Sequence, residues 1–126
     1  MDRREFVRLF VLSTICDDYE NIDQIILPNA LRDGARCSLR IDRVEVIEAL
    51  GRLIEDGLAK AYILSGKEPF SREIVGMPDV SEIEEDFETY FLVTDKGMEF
   101  HRSNHSWWPF DEDDNLLPDW SLDSAR

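Results

Sequence analysis

A chain of 126 residues has room for one domain with a proper core and not for two. Its 43% hydrophobic and 10% aromatic content belongs to a globular protein, while a formal net charge of -14 sets it against polyphosphate and anionic membrane surfaces. No apolar run of roughly 18 residues occurs, so no bilayer-spanning segment and no membrane partner are predicted.

The first stretch, MDRREFVRLFVLSTIC, has apolar residues at Phe6, Val7, Leu9, Phe10, Val11, Leu12, Ile15 and Cys16. At 100° per residue they point almost all round a helix axis, and a helix without a broad polar face is buried on more than one side. A helix over about residues 3–16 is predicted. As a leader peptide the stretch is poor: Asp2 and Glu5 dilute its positive region, and CDDYE stands where small residues are required. The expectation is a helix of the mature chain. Two widely separated cysteines, Cys16 and Cys37, suit reduced thiols and a cytoplasmic location.

Ile22, Ile25 and Ile26 have helical spacing, and Leu31 continues it beyond Pro28. Proline breaks a helix or occupies its first turn, so a kinked helix or two short pieces ending near Gly34 are predicted. The next helix is better marked. Asp42 with Glu45 three residues on is a capping box, Val46, Ile47, Leu50, Leu53 and Ile54 make one apolar face, and Gly57 closes the helix. Arg43, Glu45, Glu48, Ala49, Arg52, Glu55 and Asp56 are expected nearer its outside.

LAKAYILS reads as a half-buried strand and FETYFLVT, residues 87–94, as a second. Between them Gly66, Pro69, Gly76 and Pro78 punctuate a long hairpin connection. Residues 58–64 and 87–93 are expected to pair antiparallel. Thr94 is placed to cap a last helix, DKGMEFHRS. The tail after it, residues 107–126, shows neither helical nor strand period.

Acidity is concentrated: residues 66–88 carry eight acids against two bases, and residues 107–126 six against one. An α+β fold results, with a three-helix core, a two-stranded antiparallel wing and an acidic C-terminal extension. The division drawn is a domain over 1–106 and an aromatic acidic extension over 107–126.

VIEALGRLIEDGLAKAYIL, with its Leu-x-x-x-Gly-Leu turn, resembles the recognition helix and following strand of the winged-helix superfamily. FLVTDKGMEF is similar to the Leu-x-Thr-x-x-Gly segment that follows the wing in many bacterial winged-helix repressors. The resemblance implies a winged helix-turn-helix arrangement over residues 3–103. It implies no activity, since that superfamily includes protein binders as well as DNA readers.

A DNA-reading helix needs Arg, Lys, Asn or Gln at the groove. Here its outward positions hold two bases against four acids. The counter-argument is a local basic edge, Arg32, Arg36, Arg40 and Arg43, which with Arg52 defines an alternative reading as a DNA-binding transcriptional regulator.

The remaining chemistry is thin. His101 and His105 with Cys16 and Cys37 would make a four-ligand zinc set, but the cysteines lack the close pairing of structural sites, and core thiols with solvated histidines are expected. DEDDNLLPDWSL begins like a calcium loop and then places Leu116 and Leu122 where glycine and glutamate are required. No nucleophile elbow or phosphate-cradling loop occurs, and the acids of SEIEEDFE lack the apolar shelter that would part their pKa values. No catalytic residue, metal or cofactor is therefore expected.

Trp107, Trp108, Phe110 and Trp120 stand among acids. They fold back on their own domain or form a docking arm. The function expected is a non-enzymatic protein-interaction module. Its candidate contacts are Phe6, Phe10, Trp107, Trp108 and Phe110. Its partner is another protein or a second copy, and a homodimer through the first helix is the expectation.

Overall fold

The computed structural model describes residues 1–80 and 88–122. Helix α1 spans Arg3–Thr14; Asp2 starts it by accepting from the Glu5 amide, and Ile15 closes it. This is two residues shorter than the apolar run suggests. Phe6, Val7, Leu9, Phe10, Val11, Leu12 and Ile15 are all buried, so α1 is the central helix its all-round apolar pattern requires.

The kink at proline takes a specific form. A π-helical segment, Ile22–Ile26, is capped by Asn21 and runs directly into α2, Leu27–Arg36, with Pro28 in the first turn of α2. Proline has no N–H to donate, so the break in the helical hydrogen-bond ladder falls at this junction, beside the π-helical turn. Helix α2 ends near Gly34, two residues beyond it at Arg36. A Cβ on Gly34 would lie 3.0 Å from Ile41 and 3.1 Å from the Leu39 carbonyl, so that glycine serves close packing inside the helix. Helix α3, Arg43–Glu55, has the full reciprocal capping box of Asp42 and Glu45, and Gly57 follows at φ +75. Ala49, expected near the outside, is buried. The heavy packing of α1 on α3 needs a small residue there.

Strands β1, Ala59–Leu64, and β3, Thr89–Val93, pair antiparallel as expected, with Ala61 opposite Phe91. Phe87, which the expectation included, lies outside the described residues. A third strand was missed. Ser71–Ile74 forms β2 and pairs with β1, so the order is β2-β1-β3 and the expected two-stranded wing is a three-stranded sheet. The residues that read as loop punctuation supply its turn: after Gly66 and Pro69 the chain folds back and the Ser65 amide donates to the Phe70 carbonyl at 2.9 Å. The outer edge of β3 is closed by Glu20, which exchanges two backbone hydrogen bonds with Phe91 at 2.9 Å each.

Helix α4, Asp95–Ser103, explains the Leu-x-Thr-x-x-Gly segment physically. Thr94 accepts from the Gly97 amide and donates to the Gly57 carbonyl. A Cβ on Gly97 would stand 2.0 Å from the Leu58 carbonyl oxygen, so only glycine lets α4 approach the turn after α3. Among the described residues no helix is long and apolar enough to cross a membrane. Among the described residues the result is an α+β fold of four α-helices and one antiparallel sheet.

Candidate functional site

The five candidate contacts Phe6, Phe10, Trp107, Trp108 and Phe110 come together in one cluster. Trp107 meets Phe6 edge-on at 5.8 Å, Trp108 stacks parallel over Phe10 at 6.3 Å, and Phe110 stands edge-on to Trp108 at 5.8 Å. Trp120 adds its ring to Phe6 at 5.1 Å and donates from Nε1 to the Trp107 carbonyl. Trp107 and Phe110 are as buried as core residues. The tail therefore lies on α1 of its own chain, and the face from which a homodimer was expected is covered. That removes the geometric ground for the dimer.

The tail is also tied to α2. Arg36 lays its guanidinium over the Phe110 ring at 3.9 Å and donates to the Asp114 carbonyl, with the Asp114 carboxylate at 3.4 Å. Cation–π stacking and charge act on the same side chain. Asp111, the first residue of the calcium-like stretch, uses Oδ1 to accept from the amides of Asp113 and Asn115, holding its own turn.

The arginine edge behaves similarly. Arg43 donates to both carboxylate oxygens of Asp23 at 2.9 and 3.1 Å and to the Val80 carbonyl at 3.0 Å, with a fifth or less of either charged side chain exposed. Arg32 pairs with Asp33, and Arg36 reaches Asp33 and Asp114. Arg52 pairs with Glu5, and Arg40 is exposed, its carbonyl accepting from Arg3. Arg3 in turn holds Glu45, and its hydrogen bond lowers the Glu45 pKa. Of the outward positions on α3, Val44 is 72% exposed and Glu48 and Glu55 are exposed, while Met77 sits 3.7 Å from where a Cβ on Gly51 would be. The segment leading to Val80, itself buried, thus packs against α3.

The zinc set is not assembled, and among the described residues no three metal-ligating side chains converge. His101 and His105 lie 4.7 Å apart, ring to ring. Burial first, and then the neighbouring His105, lowers the His101 pKa. Burial, reinforced by Asp17, pushes the Cys16 thiol up to about 11. A thiol so held is protonated at neutral pH and a poor nucleophile. Burial likewise raises Cys37. The run of Glu82, Glu84, Glu85 and Asp86 lies outside the described residues.

What the sequence reading passed over is the surface around β2. Val75 is 95% exposed and Phe70 59%, at the two ends of a strand whose residues Ser71, Arg72 and Glu73 are exposed as well. The available signal was SREI bracketed by two apolar residues between two turns. No family model, no curated protein and no solved structure matches this chain.

Proposed function

We propose that this protein is a non-enzymatic protein-interaction module with a winged-helix arrangement, whose partner is a different protein. One observation carries the reading. Arg43, at the start of the helix that would read DNA, is turned inward onto Asp23 and the Val80 carbonyl. An arginine engaged with three internal oxygens has little left for phosphate, and phosphate contacts supply essentially all non-specific DNA affinity. The acids and the exposed Val44 left on that face suit a polypeptide better than a duplex. The protonated Cys16 thiol, a poor nucleophile, supports the non-enzymatic part.

Two measurements test the reading. Titration of a labelled random duplex at physiological salt gives no binding in the range of about 10⁻⁴ to 10⁻⁶ M that non-specific DNA binders show. A photo-crosslinking residue placed at Val44, and separately at Val75, in the source cell attaches to another polypeptide. Duplex binding in that range, lost when Arg36, Arg40 and Arg43 are replaced together, would overturn the proposal in favour of a DNA-binding regulator.

A further inference from the structure

The sheet has two edges, and they are treated differently. Glu20 closes the β3 edge with paired backbone hydrogen bonds, and the Asn21 side chain donates to the Thr89 carbonyl at 3.0 Å beside it. Among the described residues nothing pairs with the outer side of β2.

The register fixes which groups face outward. In an antiparallel pair the residues alternate between those that bond the neighbouring strand and those whose N–H and C=O point away. The Ser65 amide donates to Phe70, and the Leu64 amide donates to Glu88 on the other side. By alternation Ile63 and Ala61 face β2, so their partners Arg72 and Ile74 are the bonded ones. The N–H and C=O groups of Ser71 and Glu73 therefore point into solvent. Such a row is a template for another strand.

A second copy does not fit that template. Residues directly opposite each other must both be outward-bonding or both inward-bonding. Only two self-pairing registers then overlap more than one β2 residue across a two-fold axis. One sets Glu73 against Glu73 of the second copy and the other sets Arg72 against Arg72. Like charges directly opposite are destabilising in a sheet, and each copy carries a net charge of -14.

We propose that the outer edge of β2 receives an extended strand of a partner protein, alternating apolar and basic residues, by strand addition through Ser71 and Glu73. Strand addition draws affinity from main-chain hydrogen bonds and specificity from alternate side chains. Glu73 lies on the outer face of the sheet with Lys60, which it bonds at 3.1 Å, and within this acidic chain it favours Lys or Arg opposite. Ile74 shares the core-facing side with the buried Ala61, and Arg72 and Phe70 follow the same alternation, so apolar residues fit against Ile74, Phe70 and the aliphatic stem of Arg72 between them. This inference rests on the interaction-module reading and adds the surface and the partner's chemistry.

The experiment uses the full chain, amide NMR and two synthetic peptides, one alternating apolar residues with lysine and its twin with glutamate. The lysine peptide shifts the Ser71 and Glu73 amides and slows their hydrogen exchange, while the Arg72 and Ile74 amides, already bonded to β1, change little in protection. The glutamate peptide does neither. Glu73→Lys inverts the preference between the peptides by tenfold or more. Ser71→Pro, which removes an outward N–H and fixes φ at a position an edge strand tolerates, abolishes binding with the β1–β2 amides still protected. Shifts confined to the acidic turn Asp111–Asp114, or no shift at millimolar peptide, would overturn the proposal. So would protection of Ser71 and Glu73 gained merely by concentrating the protein, which would assign the edge to a second copy. If the peptide test fails while a crosslinker at Val44 still captures another polypeptide, the edge assignment falls and the module reading stands.

Discussion

Arg43 and Asp23 face each other across twenty residues of sequence with both pairs of hydrogen-bonding atoms matched, Nε to Oδ1 and Nη2 to Oδ2. The pair joins the start of α3 to the π-helical segment, and the third bond, to the Val80 carbonyl, pins the returning insert beside them. Arg43→Met leaves Asp23 largely buried without its cation and is expected to cost about 3 kcal/mol in urea unfolding. The double variant Arg43→Met, Asp23→Leu is expected to recover at least half of that loss, because no charge is then stranded. A double variant as unstable as the single one would show that the pair itself was not the source.

The tail over α1 makes a forecast about assembly. Full-length protein is expected to be monomeric by light scattering at high micromolar concentration. Removing residues 107–126 uncovers Phe6 and Phe10, which Trp107, Trp108 and Trp120 contact. The shortened chain is expected to associate and to melt at a lower temperature. Within the full chain, Trp107→Ala is expected to cost about 3 kcal/mol, the low end for a buried large aromatic, since its Nε1 is buried without a hydrogen-bond partner and its removal relieves that penalty. A full-length dimer that Phe10→Glu dissociates would contradict this.

Gly97→Ala tests the close approach of α4. The added carbon meets the Leu58 carbonyl at 2.0 Å, and backbone cannot step aside as a flexible side chain can. A loss of about 3 kcal/mol or more is expected, where the same exchange in an open helix would gain up to about 1 kcal/mol. Urea unfolding of the single variant decides it. Gly66→Ala, with nothing within reach, is the control.

Stability should depend on pH through His101. Its pKa is lowered in the fold, by burial first and by His105 second, so the folded state prefers the neutral ring. The unfolded chain takes up the proton first as pH falls. This contribution is fully present above the ordinary imidazole value of 6.5 and is lost as pH falls through the lower value of the folded state. Melting temperature followed from pH 7.5 downward is expected to decline below pH 6.5, where the unfolded chain takes up the proton first. His101→Gln is expected to flatten the decline. An unchanged slope would place its cause elsewhere.

Much of this was legible locally. The capping box of Asp42 and Glu45, the Thr94 cap and the all-round apolar pattern of α1 each depend on residues within a turn or two, where spacing alone fixes which groups meet. The pairing of β1 with β3 followed from two apolar runs. Strand β2 was not legible, because a four-residue edge strand needs no apolar face and its sequence is that of a loop until β1 lies alongside. The same holds for Arg43: its charge is written in the sequence, and its neutralisation depends on Asp23 and Val80 arriving from opposite directions along the chain. Whether Trp107 and Phe110 served a partner or their own core was likewise decided only in three dimensions, about a hundred residues from the α1 rings that bury them, a separation no local period spans.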